Sequence, residues 1–134
     1  MVGIVVVSHG SMAEGMMDAA RMIVGEQEGI ETVSLKEADA VENLMDRISD
    51  ALARVDTGDG ALILVDAFGA SPFNASARLA VGREKTEVIS GVNLPMLLEL
   101  SVQRDQQDFA GLVQTALEAG TSSIQTLSQT LKKS

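Results

Sequence analysis

The sequence of 134 residues predicts an open α/β fold, in which a mostly parallel sheet of strand order 2-1-3-4 is covered by helices on both faces. Short apolar runs rich in β-branched residues are typical of strands that are buried on both faces. Segments with apolar residues at helical spacing alternate with these runs, and glycines and capping residues separate the two kinds of segment. The length is that of one domain, so we expect a single domain over residues 1–134.

The first strand and helix have clear limits. Val2–Val7 is an almost continuous β-branched run and predicts strand 1. A helix is predicted over Met12–Val24, with Ser11 as its N-cap and Gly25 as its C-terminal stop. Spacing predicts that one face of this helix packs on the sheet through five residues, namely Met12, Met16, Ala19, Ala20 and Ile23.

The second strand is predicted over Ile30–Leu35. Asp39 and Glu42 lie three residues apart and resemble a capping box for the next helix. That helix has the clearest apolar stripe in the chain, which comprises Val41, Leu44, Met45, Ile48, Leu52 and Val55.

The second half repeats the alternation. Strands are predicted over Ala61–Val65 and Thr86–Val92. Helices are predicted over the ranges Phe73–Val81, Pro95–Gln103 and Phe109–Ala119. The tail from Thr121 to Leu131 fits either a helix or a short strand.

Composition excludes several classes of function. The chain has 10 Lys and Arg against 19 Asp and Glu, a net charge of −9, which argues against nucleic acid or an anionic membrane as a partner. Without cysteine, it has no disulfide, thiolate nucleophile or zinc finger, and one histidine rules out multi-histidine metal sites. No metal or cofactor is therefore expected. Because no membrane span and no basic signal region are evident, we expect a cytoplasmic protein.

Polar residues follow three of the predicted strands. Ser8, His9 and Gly10 follow strand 1, Asp66 and the Gly69–Ser71 loop follow strand 3, and Asn93 follows strand 4. In open α/β sheets, ligands bind beyond the carboxyl ends of the strands. This edge of the sheet, which carries the only histidine, is therefore the candidate site.

These residues suit phosphoryl transfer. Taken singly, His9 could merely end a strand, Asp66 cap a loop, and Ser71 cap a helix that starts with Pro72. If strands 1 and 3 are neighbours, however, the Asp66 carboxylate can hold one ring nitrogen of His9 and leave the other free as a nucleophile. The backbone N–H groups and hydroxyl of Gly69-Ala70-Ser71 would form an anion site at a helix start.

Four segments carry a more specific resemblance. They are Val5-Val6-Val7-Ser8-His9-Gly10, Gly25-Glu26-Gln27-Glu28, Leu64-Val65-Asp66 continuing to Gly69-Ala70-Ser71-Pro72-Phe73-Asn74, and Gly91-Val92-Asn93-Leu94-Pro95-Met96-Leu97. In order and spacing, over nearly the whole chain, they resemble the IIA component of the mannose-type sugar phosphotransferase system (the mannose/fructose/sorbose EIIA family of the PTS).

The resemblance implies specific roles. His9 would accept a phosphoryl group from the phosphocarrier HPr, at Nε2, and pass it to a IIB component, which supplies a membrane permease. Asp66 would orient His9, and Ser71 with Gly69 and Ala70 would hold the phosphoryl oxygens. A second glycine is usual where Ala70 stands, which puts a left-handed backbone there in question.

The resemblance also implies a homodimer in which the C-terminal segment, residues 123–127, adds an antiparallel edge strand to the partner subunit. Because no hinge or IIB domain follows, we expect a separate IIA polypeptide or an excised domain. Phe68 and Phe73 either pack in the core or form a docking patch for the partner proteins.

Three alternative functions use the same residues. A small tetrapyrrole metal chelatase resembles this chain at Val7-Ser8-His9-Gly10-Ser11, but such enzymes use a pair of histidines. A serine hydrolase would use Ser71, His9 and Asp66, but the chain has no nucleophile elbow and Pro72 lacks the N–H that an oxyanion hole needs. The third alternative is a non-catalytic regulatory binding module.

Overall fold

A computed structural model describes residues 1–132 and has strand and helix alternating along the chain. The strands are β1 (Gly3–His9), β2 (Ile30–Leu35), β3 (Ala61–Val65) and β4 (Thr86–Ser90). The helices are α1 (Met12–Val24), α2 (Glu42–Val55), α3 (Ser71–Ala80), α4 (Leu94–Gln103), α5 (Phe109–Ser122) and α6 (Leu127–Lys132).

The sheet is parallel and has the order β2-β1-β3-β4, as predicted. The pairing of β1 with β2 starts with Ile4 opposite Ile30. The pairing of β1 with β3 starts with Gly3 opposite Ala61. β4 pairs with β3 on the other side, starting with Thr86 opposite Ala61. Because all four strands run the same way, their carboxyl ends lie along one edge.

Alternate residues of the central strands pack into two separate cores. Ile4 and Val6 face the core formed with α1, α4 and α5, whereas Val5 and Val7 face the core formed with α2 and α3. All four side chains are fully buried. This two-sided burial explains why β1 reads as a continuous apolar run rather than an alternating one.

Helix α1 has the predicted limits, but its buried face differs from the predicted one. Ala13 and Ala20 are buried, Met16 and Met17 pack partly against the core, and Met12 and Ile23 are exposed. The small alanines let α1 approach the sheet and α4 closely. Only Glu14, Asp18 and Arg21 form a polar stripe on α1, and the apolar residues cover the rest of its surface, so spacing alone did not identify the inward face.

Two predicted helix starts are wrong in detail. Ser11 occupies the N-cap position of α1 but makes no side-chain capping bond. Asp39 accepts the N–H of Lys36 at 2.7 Å and closes a turn after β2, so α2 begins three residues later with Val41 at its N-cap position. Val41 consequently lies outside the buried stripe and is exposed.

Strand β4 ends at Ser90, two residues before the predicted end, because Gly91 has a left-handed φ of 78° that breaks the extended backbone. In the described part of this single chain, residues 124–126 form no regular structure between α5 and α6. The exchanged edge strand therefore remains a prediction about an assembly of two chains. Within residues 1–132, no helix is long and apolar enough to cross a bilayer.

Candidate functional site

His9 is the last residue of β1 and lies at the carboxyl edge of the sheet. Gly10 turns the chain there with a φ of 57°, and its N–H donates to the carbonyl of Leu35 at 2.8 Å. The turn is thereby tied to the neighbouring strand. The His9 side chain is 53% exposed, so the ring is held at its base and is open to solvent at its tip.

Asp66 follows β3 and meets His9, because β1 and β3 are neighbours with Val7 opposite Val65. One carboxylate oxygen, Oδ2, lies 2.7 Å from Nδ1 of His9 and also accepts the His9 backbone N–H at 2.8 Å. The other oxygen accepts the N–H of Ala67 at 3.0 Å. The carboxylate therefore fixes both the ring and the backbone of His9.

The charge state of Asp66 determines what the histidine ring can do. Burial of the side chain, which is 11% exposed, raises the pKa of Asp66, but hydrogen bonds from the His9 backbone and ring and from Ala67 outweigh it and hold the pKa below its usual value. At neutral pH the carboxylate can therefore only accept hydrogen bonds. Nδ1 of neutral His9 must then carry the proton, which leaves the lone pair of Nε2 free.

The loop between β3 and α3 lies at the same edge of the sheet. Gly69 has a φ of 81°, which favours glycine, whereas Ala70 is extended with a φ of −84°. Position 70 therefore does not require glycine. Asn74 donates its side-chain amide to the carbonyl of Gly69 at 3.1 Å and holds the loop against α3.

Ser71 is the first residue of α3, so the N-cap residue is Ala70. The alternative in which Ser71 itself caps the helix is therefore wrong. The Ser71 hydroxyl is half-buried and has no hydrogen-bond partner among residues 1–132. Pro72 occupies the first turn, where its missing N–H costs no helical bond. A free hydroxyl at a helix N-terminus is available to a bound anion.

The two phenylalanines of this region differ in burial. Phe68 is 78% exposed, and its ring lies 4.4 Å, centroid to centroid, from the ring of Phe73, which packs against the core beneath α2 and α3. Of the two alternatives, core packing therefore holds for Phe73, whereas Phe68 is a surface residue.

Asn93 has a structural position. Its side-chain oxygen accepts the N–H of Met96 at 3.1 Å and caps α4, while its amide donates to the carbonyl of Gly120 at 3.0 Å. Both polar groups of the side chain are thereby used to join α4 to α5. We assign Asn93 no part in the site around His9.

The capping role of Ser8 was not predicted from the sequence. The hydroxyl of Ser8, which is 1% exposed, accepts the N–H of Ala13 at 2.8 Å. Ser8 is the second-to-last residue of β1, and it therefore caps α1 from the end of that strand. The sequence predicts Ser11 as the cap instead, because Ser11 stands directly before the first residue of α1. The bond ties the start of α1 to the residue before His9.

Several known proteins are similar to this chain over most of its length. Residues 3–117 match the family model described as the PTS system fructose IIA component. The PTS system mannose-specific EIIAB component of Escherichia coli (strain K12) is 40% identical over 127 residues, which cover 94% of this chain and 39% of that protein. The chain thus spans about two fifths of the length of that relative.

Two further relatives match over most of their own length. The PTS system sorbose-specific EIIA component of Lacticaseibacillus casei is 32% identical over 110 residues, covering 82% of this chain and 79% of that protein. The crystal structure of phosphotransferase system component EIIA from Streptococcus agalactiae superimposes with a TM-score of 0.89 at 26% identity, covering 96% of this chain and 99% of that one.

Proposed function

Because the chain belongs to the family of PTS fructose IIA components, which are phosphotransferase relay proteins, we propose that it carries a phosphoryl group on His9 between two proteins of a sugar phosphotransferase system. The donor is HPr and the acceptor is a IIB component, which in turn serves a membrane permease. We place this relay in the cytoplasm. The observation that carries the proposal is the single histidine whose Nδ1 is held by Asp66 while its tip is open to solvent.

The reaction needs little covalent chemistry from the protein. The Nε2 lone pair of His9 attacks the phosphorus of phospho-HPr in line, and the P–N bond to the donor breaks with its electron pair returning to the donor's imidazole. The Nδ1 proton stays on His9. Its bond to the Asp66 carboxylate balances the positive charge that the phosphorylated ring gains. Attack by the IIB nucleophile on the same phosphorus reverses these changes.

The loop before α3 supports the transferred group. We assign the phosphoryl oxygens to the Ser71 hydroxyl and to the backbone of Gly69, Ala70 and Ser71. The hydroxyl has no competing partner among the described residues, and the α3 N-terminus favours negative charge. These donors are in place before the phosphoryl group arrives, so little reorganisation is needed during transfer.

Two features support a homodimer as the working form. β4 is an edge strand of the sheet, so one side of its backbone is open to pairing. Beyond α5, the apolar side chains of Ile124 and Leu127 are 82% and 74% exposed. We propose that this segment covers part of a second subunit. Light scattering at micromolar concentration should give the dimer mass, and a monomer mass would contradict the assignment.

Incubation with phosphoenolpyruvate, enzyme I and HPr, followed by intact mass spectrometry, tests the function directly. We expect one acid-labile phosphoryl group on the wild-type chain and none on His9→Ala. His9→Gln separates a carrier from a binding module, because we expect it to bind HPr but to pass nothing to IIB. An unmodified wild-type chain, or a His9→Ala variant that still gains the group, would refute the proposal.

A further inference from the structure

A cleft of about 320 Å³ opens between the start of α2 and one face of α3. Val41, the N-cap residue of α2, and Met45 within that helix line one side of it. Ser71, Asn74 and Arg78 line it from α3, where their spacing of three and four residues places them on one stripe of the helix. The cleft therefore begins at Ser71, which we have assigned to the phosphoryl group, and extends away from His9 along α3.

Arg78 differs from the other arginines of the described chain. Those at positions 21, 47, 54 and 83 each pair with a carboxylate, and Arg104 is buried against backbone carbonyls. Arg78 is exposed and has no ion pair or hydrogen bond within residues 1–132. Glu42 also lines the cleft but does not pair with it. A chain of net charge −9 thus presents an unpaired guanidinium beside the loop assigned to the phosphoryl group.

We propose that this cleft is the docking site of the phosphorylated donor protein, an inference that rests on the proposed function. An apolar side chain of the donor lies against Val41, which is 51% exposed, and Met45. Arg78 attracts the phosphoryl dianion that the donor carries. A donor that brings a phosphoryl group to His9 and Ser71 must cover the mouth of the cleft, because Ser71 belongs to both.

Charge distinguishes the donor from the acceptor. The donor approaches a strongly acidic chain while it carries a dianion, so an unpaired cation near its path speeds that encounter. The acceptor arrives without a phosphoryl group and gains less from the same cation. Seven residues of helix place Arg78 about 10 Å along α3 from Ser71, near the Debye length at physiological salt. The effect should therefore depend strongly on salt.

The first test measures the second-order rate constant of transfer from phospho-HPr over a series of salt concentrations. We expect Arg78→Gln to lower it about threefold to fivefold at low ionic strength and to approach the wild type at high salt. Arg54→Gln is the matched control, since it removes the same charge at the far end of α2, where Arg54 pairs with Glu31. Equal effects of the two variants, or no effect of Arg78→Gln, would overturn the role of Arg78.

The second test concerns the apolar part of the cleft. Val41→Asp should lower the rate constant about tenfold, because it removes an anchor and adds a like charge. Aspartate is favoured at helix N-caps, so the fold should persist. Val81→Asp is the control, because Val81 is 87% exposed at the other end of α3. A Val41→Asp rate equal to that of the control would refute the docking site.

Two further measurements separate this inference from the proposed function. Phosphoramidate, a small anionic phosphoryl donor without a docking face, should modify His9 equally in all these variants at high salt, where the charge of Arg78 is screened. If it modifies none of them, wild type included, the function itself fails. Transfer from the phosphorylated chain to IIB should be nearly unchanged in Arg78→Gln. An equal slowing of that step would contradict the assignment of the cleft to the donor.

Discussion

Replacing Asp66 with asparagine tests the central contact of the site with the smallest change of shape. Asp66 accepts three hydrogen bonds, two from His9 and one from Ala67. An amide has only one acceptor oxygen. If that oxygen faces His9, the amide N–H₂ opposes the N–H of Ala67. If the amide is turned, it opposes the His9 backbone and forces the ring proton to Nε2, which removes the nucleophilic lone pair.

The size of the effect of Asp66→Asn on the transfer rate follows from the hydrogen bonds that the carboxylate loses. A hydrogen bond to a charged group contributes about 1.5–3 kcal/mol. The positive charge on the phosphorylated ring makes the carboxylate more important in the transition state than in the resting protein. We therefore expect Asp66→Asn to slow phosphoryl transfer from HPr by about 10-fold to 100-fold, since each 1.4 kcal/mol is about tenfold in rate.

The assay is rapid-quench transfer from phospho-HPr, with thermal unfolding followed in parallel. Asp56→Asn is a matched control, because Asp56 also accepts backbone N–H groups, from Gly58 and Gly60, but at the opposite edge of the sheet. It should alter stability and leave transfer within about twofold. If Asp66→Asn transfers at the wild-type rate while it remains folded, the assigned role of the carboxylate is wrong.

Four further outcomes are expected. Ser71→Ala should slow transfer about fivefold, which corresponds to the loss of one hydrogen bond to the phosphoryl group. In urea titrations it should change the free energy of unfolding by less than about 0.5 kcal/mol, because the hydroxyl has no partner among residues 1–132 before the phosphoryl group arrives. The pKa of Asp66 in the folded protein lies below its ordinary value of 3.8. The ionised carboxylate therefore contributes its full stabilisation of the fold above pH 3.8, and this contribution is lost as the pH falls through the folded pKa. The Tm values of wild type and Asp66→Asn should consequently converge in strong acid. Gly60→Ala should cost about 2–4 kcal/mol in urea unfolding, since the new Cβ would clash with the carbonyl oxygen of Lys85 and φ is 97°. Arg104→Met should cost about 2–4 kcal/mol by the same measurement, because the carbonyls of Val2 and Glu28 lose the donor that Arg104 supplies. The carbonyl of Gly29 keeps only the N–H of Ile4, and an unchanged midpoint would contradict this role of Arg104.

The sequence alone was sufficient to place the four strands, apart from the ends of β1 and β4, and to identify the edge that carries the site, whereas the order 2-1-3-4 was expected because it is common in such sheets. Ile30–Leu35 and Ala61–Val65 were predicted with the limits that the structure has, because a strand buried on both faces must be apolar throughout, whatever its neighbours are. His9 and Asp66 were identified for a similar reason. His9 ends such a strand and Asp66 follows one, and the carboxyl ends of parallel strands meet at one edge.

Only the tertiary structure decided which groups touch. The hydrogen bonds to the Asp66 carboxylate depend on the register between β1 and β3, and the use of Ser8 rather than Ser11 as the cap of α1 depends on how that helix leaves the sheet. The inward face of α1 and the cleft beside Arg78 are likewise set by how helices pack on one another. Local periodicity reports which residues are apolar. Packing between distant segments chooses among the apolar faces, and it determines which polar groups remain without a partner.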